Sequence, residues 1–169
     1  KSGDFDSYQR QRRAKFMPWE FLKEYDYSIY IDGNIKITGD IAELLDWYSG
    51  LSGMLCYPHP TNRNLLEEVE LIGATGKDDR EVLERQVRHY LNEGYTDKAC
   101  MISGGFIARS HHDKRLKSVM KDWWTEINTW SRRDQMSFCY CCWKNDYDYD
   151  ICELNIFENP YIQVIAAEG

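Results

Sequence analysis

Asp32, Gly33 and Asn34 form the short segment with the most chemical content. The preceding residues, Tyr27 to Ile31, are rich in β-formers, so Asp32 is expected at the end of a strand. A carboxylate, a glycine and an amide oxygen in that order can hold Mn²⁺ or Mg²⁺ against a diphosphate. These ions take hard oxygen ligands, use few protein groups and let substrate phosphates complete the shell. The metal then offsets charge on a departing nucleoside diphosphate. The same three residues also spell an ordinary turn.

A second group is Ser131-Arg132-Arg133-Asp134-Gln135, placed where a helix is expected to start. It reads either as a helix cap with a surface ion pair, or as a carboxylate and an amide facing a polyhydroxyl ligand. In the second reading Asp134 takes a proton from, or orients, a sugar hydroxyl, and Arg133 or Arg132 fixes its position. Arg109, His111 and His112 follow Gly104 and Gly105, adjacent glycines that mark close approach of backbone or ligand within a strand. Adjacent histidines point different ways, so His111 and His112 are not expected to share an ion. His59 lies between Pro58 and Pro60, with Arg63 four residues on, in a structured loop. The one basic run, Arg10 to Lys15, is either a solvated face or an anion site for a few phosphates.

The elements that must carry these residues follow from periodicity. Strands are expected near Tyr27–Ile31, Ile35–Ile37, Met54–Tyr57 and Met101–Ser110, with one or two more in the CELNIF and YIQVIAA tail. Helices are expected from an Asp40 cap through Trp47 to Gly50, and from an Asn62 cap through Leu71 with Gly73 as stop. Another runs from Asp78 or Asp79 to Gly94. Leu116, Val119, Met120, Trp123, Trp124, Ile127 and Trp130 share a helical stripe and are assigned to core. A last helix begins at Ser131 or Asp134 and includes SFCYCCW. Alternating strands and helices favour a three-layer α/β domain with a mainly parallel central sheet. In such sheets ligands gather at the carboxyl ends of strands.

Composition narrows the classes. The chain has 169 residues, 21 basic against 28 acidic side chains, and a net charge of −7. That length suits one domain with a real core. The acidic balance argues against a nucleic-acid partner. No apolar run is long enough to span a bilayer. The polar start shows no signal peptide, which gives a cytoplasmic expectation. P-loop, Rossmann, zincin and serine-hydrolase motifs do not occur. Aromatic residues make up 14%, which serves either core packing or stacking on sugars. The six cysteines are expected to be buried, reduced thiols, given the domain size and the lack of a secretory signal, and Cys139 and Cys142 lack the second pair that a zinc site needs.

Taken in order, several segments resemble a glycosyltransferase-like family long catalogued as a domain of unknown function, with plant mucilage-related, bacterial and viral relatives. Its pattern is R-x-x-K-x-x-P-H, a strand ending I-D-G-N, H-P-x-R, Q-x-x-x-Y-x-x-x-G, I-x-R-x-H, W-W-x-E-I and R-D-Q-x-S-F. Here these are Arg12, Lys15 and Pro18; YDYSIYIDGN; His59, Pro60 and Arg63; Gln86, Tyr90 and Gly94. Ile107, Arg109 and His111; Trp123, Trp124, Glu126 and Ile127; and Arg133 to Phe138 complete the order. Trp19 departs from the family histidine.

The resemblance implies a GT-A fold, a nucleotide-sugar donor (UDP-linked by expectation), a glycan or glycoprotein acceptor, and Mn²⁺ or Mg²⁺ at Asp32 and Asn34. It puts Asp134 and Gln135 beside the transferred sugar as the catalytic pair. Donor contacts are then expected from Arg12, Lys15, Asp32, Gly33, Asn34, His59, Arg63, Gly105, Arg109, His111 and Arg133. Such domains open with a further strand and helix, which this sequence is expected to lack. Two other functions stay open: a non-catalytic carbohydrate-binding module and a nucleotide-sugar hydrolase.

Overall fold

The computed structural model describes residues 7–48, 52–61 and 63–165. The expected helix stop at Gly50, the cap at Asn62 and the last tail residues lie outside the described residues, as does the Arg10 side chain.

The chain opens with α1 (Ser7–Phe16), followed by a 3₁₀ turn at Pro18–Glu20. Pro18 ends the helix because it disfavours helical backbone at Met17 and offers no N–H. Then come β1 (Ser28–Ile31), β2 (Ile35–Ile37), α2 (Ile41–Asp46) and β3 (Met54–Pro58). Two consecutive helices, α3 (Leu65–Thr75) and α4 (Arg80–Asn92), lead into β4 (Ile102–Arg109). The rest is α5 (Lys114–Thr129), α6 (Gln135–Lys144), β5 (Asp150–Ile151) and β6 (Ile162–Val164).

Local chemistry accounts for the ends. Asp40 caps α2 and Asp79 caps α4 through their side-chain oxygens. Asn64 and Glu67 form a reciprocal capping box on α3. Gly73 is inside α3 instead of ending it, and the stop is Gly76 at φ +63°. A left-handed C-cap needs glycine's freedom, and Gly73 has no such φ.

The central sheet has four strands in the order β1-β4-β3-β5, and β2 pairs with β6 in a separate ribbon. The expected mainly parallel sheet is corrected. β4 runs antiparallel to both β1 and β3, and only the short β3–β5 pair is parallel. The reason lies in the β3-to-β4 connection. A single crossover helix returns the chain to its starting side, giving a parallel strand. The packed pair α3–α4 brings it back on the far side, so β4 enters reversed. β1, β3 and β5 still point one way, with β4 set between β1 and β3.

Strand alternation divides the core in two. Met54, Cys56 and Ile107 face the helices α1 and α3 to α6, packing with Leu83, Val87, Trp123 and Phe138. Leu55, Tyr57, Phe106 and Ala108 face a thinner cover of α2, the β2–β6 ribbon and the 152–161 segment. The layers are therefore helical on one face and mixed on the other. The α5 stripe is buried as expected, except that Trp124 and Trp130 stay partly exposed.

The reduced-thiol expectation is corrected for one pair. Cys100 and Cys139 form a disulfide between the lead-in to β4 and α6, their Cα atoms 6.4 Å apart. Cys56, Cys141, Cys142 and Cys152 are buried free thiols.

The β2–β6 ribbon carries a stability prediction. A Cβ on Gly39 would lie 2.5 Å from the Pro160 carbonyl oxygen and 3.1 Å from the Tyr161 Cα. Both neighbours are backbone, and Thr38 and Gly39 donate their N–H groups to the Tyr161 carbonyl. Gly39→Ala is expected to cost about 1–3 kcal/mol by overpacking, read as a lower urea midpoint.

Candidate functional site

The ladder between β3 and β4 breaks where the site forms. Cys56 pairs with Ile107, but Tyr57 pairs with Ser103, so Gly104, Gly105 and Phe106 bulge out of register. On the other edge Ile31 pairs with Phe106, and the Asp32 N–H donates to the Gly105 carbonyl at 2.8 Å. Bulges re-aim backbone next to sites. A Cβ on Gly104 would sit 3.1 Å from both Asp134 Oδ2 and Lys15 Nζ. A Cβ on Gly105 would sit 3.3 Å from Asp32 Oδ2. The two glycines thin the strand so that three charged groups approach it.

Those groups line one cavity of about 380 Å³, with Asn34, Ser103, Gln135 and the rim residue Phe157. Each arrives on a different element. Lys15 comes from the last turn of α1, Asp32 and Asn34 from the turn after β1, and Asp134 and Gln135 from the start of α6. The Asp32–Ile35 segment is a β-turn, its Ile35 N–H donating to the Asp32 carbonyl at 2.9 Å. The segment is thus a turn, and its Asp32 and Asn34 line the cavity.

Lys15 is buried and donates from Nζ to Asp134 Oδ2 at 2.5 Å. Its ammonium also lies 4.8 Å from the Tyr30 ring centroid, an arrangement that favours a desolvated cation. Asp134 keeps 15% of its side-chain surface exposed, and Arg12 Nη1 approaches its Oδ2 at 3.9 Å. Burial alone would raise the Asp134 pKa, but Lys15, Arg12 and the Gln135 N–H outweigh it and hold the carboxyl below its ordinary range. Asp134 also caps α6, its Oδ1 accepting from Gln135 N–H at 3.0 Å.

Tyr30 donates its hydroxyl to Asp32 Oδ1 at 2.7 Å. Burial, then that bond, push the tyrosine pKa up. Asp32 Oδ2 is left for another partner, and Asn34 offers a second hard oxygen in the same cavity. This donor set fits a divalent cation whose shell a substrate diphosphate completes. Among the described residues no three His, Cys, Asp or Glu side chains gather into a closed metal cage.

Other expected contacts fall elsewhere. Gly33 is exposed at the turn tip and does not line the cavity. Arg63 pairs with Glu68 at 2.9 Å. His59 lines a neighbouring cavity, and burial lowers its pKa. Arg109 is 2% exposed and donates from Nε to Ser28 Oγ at 3.3 Å. Burial lowers its pKa to about 10, so it stays charged at neutral pH. His111 is buried with Nε2 3.0 Å from the Leu22 carbonyl. The Arg133 N–H donates to Ser131 Oγ at 3.0 Å, and its side chain is not on the cavity wall. Tyr30 is not among the expected donor contacts, although the sequence already places it near the proposed cleft. Its signal was strand period, which puts residues 30 and 32 on one side.

The profile of the TOD1/MUCI70 glycosyltransferase-like domain matches residues 6–168. A curated relative, "Probable hexosyltransferase MUCI70" of Arabidopsis thaliana, is 26% identical over 122 residues, covering 66% of this chain. The chain spans 21% of that relative's length. No solved structure matches. With a family profile running over nearly all of its length, the chain belongs to the TOD1/MUCI70 glycosyltransferase-like domain family.

Proposed function

We propose that this domain is a metal-dependent glycosyltransferase of GT-A type, moving a sugar from a nucleoside-diphosphate sugar to a glycan or glycoprotein hydroxyl. One observation carries the reading: Lys15, Asp32, Asn34, Asp134 and Gln135 meet in a single cavity on a glycine-thinned strand. Asp32 and Asn34 would hold Mn²⁺ or Mg²⁺, with Tyr30 orienting the carboxylate. The ion supplies Lewis-acid stabilisation of the leaving diphosphate. Lys15 on the cavity wall and Arg12 beside Asp134 suit the donor's phosphates.

Transfer breaks the bond between the anomeric carbon and the diphosphate, whose oxygen keeps the electron pair. A bond to the acceptor oxygen forms, and the acceptor proton passes to water. Asp134, held anionic by Lys15, is a weak proton acceptor at neutral pH. Its role is to accept hydrogen bonds from sugar hydroxyls and stabilise positive charge developing at the anomeric centre. Gln135 adds an amide beside it.

The test is turnover of a panel of nucleotide sugars with Mn²⁺, read as nucleoside diphosphate released. We expect release with at least one UDP-sugar, stimulated by a glycan acceptor and lost on adding EDTA. No binding or release across the panel overturns the reading.

A further inference from the structure

We propose that the larger neighbouring cavity, about 570 Å³ and lined in part by His59, Tyr149, Ile151, Glu153 and Asn155, is a subsite for an uncharged acceptor sugar. The inference rests on the glycosyltransferase reading of the smaller cavity and names where its second substrate binds.

Position is the first argument. The two cavities are lined by neighbouring stretches of the same two segments. Met101 lines the larger and Ser103 the smaller, two residues apart at the start of β4. Asn155 lines the larger, and Ile156 and Phe157 line the smaller. The His59 N–H donates to the Met101 carbonyl at 2.9 Å, tying the loop after β3 to the same wall. A ligand in the larger cavity would therefore lie next to the smaller one, whose wall carries Asp134 and Gln135.

Chemistry is the second. Among the described residues no lysine or arginine lines the larger cavity, and the Glu153 carboxylate does. A diphosphate there would meet an anion on the wall without a cation from that lining, a poorly compensated desolvation. An uncharged polyol suits it. Apolar plates, among them Pro58, Pro60 and Leu154, match the C–H faces of sugar rings. Around them stand groups with unused hydrogen-bonding capacity. Asn155 Oδ1 accepts from the Phe157 N–H, which leaves its amide N–H₂ to donate. Thr61 occupies His59 Nδ1, which leaves Nε2. Glu153 accepts from hydroxyls. The volume falls within the roughly 300–1,000 Å³ of small-ligand pockets.

Saturation-transfer NMR tests this with two probes on the same protein. One is UDP with Mg²⁺; the other is a panel of methyl glycosides and disaccharides, all uncharged. Ile151→Trp fills the cavity from an exposed edge position, and Glu153→Ala removes the acceptor at another exposed position. We expect both variants to lower glycoside signals at least fivefold while UDP signals stay within twofold of wild type. Wild-type protein that binds UDP but no glycoside overturns the subsite and leaves the transferase reading standing. Glycoside signals unchanged in both variants do the same, as does loss of UDP signals, which would give the cavity to the donor. Glycoside binding that the variants abolish, in a protein that never binds UDP, overturns the transferase reading and leaves the subsite.

Discussion

Asp32→Ala is expected to lower metal-dependent donor turnover at least about a hundredfold, the scale of losing several kcal/mol of Lewis-acid stabilisation. The loss should appear as disappearance of the Mn²⁺ dependence of UDP binding, measured by calorimetry with and without metal. Folding should persist, because the Asp32 N–H bond to the Gly105 carbonyl belongs to the backbone and survives the change. The cost in stability is about 1 kcal/mol, from the Tyr30 hydroxyl left without its acceptor. Tyr30→Phe separates positioning from ligation. Its hydroxyl donates to Asp32 Oδ1 and Tyr30 does not line the cavity, so the variant should weaken metal about 10- to 100-fold. Turnover at saturating metal should change little. Metal dependence unaltered in Asp32→Ala would remove Asp32 from the site.

Much of this cavity was legible in the sequence because its parts follow local rules. A strand ending in Asp-Gly-Asn, a glycine pair inside a strand and an Asp-Gln at a helix start are each short-range patterns. Their ordered recurrence brought Lys15 into the same set. What stayed hidden depends on long-range geometry. Both helices of the β3-to-β4 connection are expected from the sequence, but the direction of β4 also depends on how those two helices pack against each other and the sheet. The Cys100–Cys139 link joins residues 39 apart, a separation no spacing rule distinguishes. Arg109 and His111 show the converse. The family resemblance implies donor contacts for both, yet the sheet and the segment before β1 bury them against Ser28 and the Leu22 carbonyl. The larger cavity escaped notice because Tyr149, Glu153 and Asn155 come from an irregular segment with no periodicity.

Lys15→Met and Asp134→Asn should both destabilise the fold, because each leaves one member of a buried ion pair without its charged partner, and Asp134→Asn should impair catalysis as well. Removing the lysine leaves a nearly buried carboxylate with Arg12 at 3.9 Å and the Gln135 N–H still beside it. Breaking a buried pair costs about 3–5 kcal/mol, and these residual partners reduce that to about 2–4. Asp134→Asn keeps the shape and a hydrogen-bond acceptor for the Gln135 N–H. It removes the anion beside the anomeric centre, so turnover should fall about 10²- to 10³-fold. Lys15→Met combined with Asp134→Leu should recover part of the lost stability, since an apolar pair leaves no uncompensated charge. The pH dependence follows from the lowered Asp134 pKa. A carboxyl whose folded pKa is depressed stabilises the fold fully above its unfolded value. That contribution is lost as pH falls through the folded value. Wild type should therefore lose more stability than Asp134→Asn between pH 7 and about pH 3, measured as urea midpoints. Equal losses would mean that the ion pair contributes nothing to the fold.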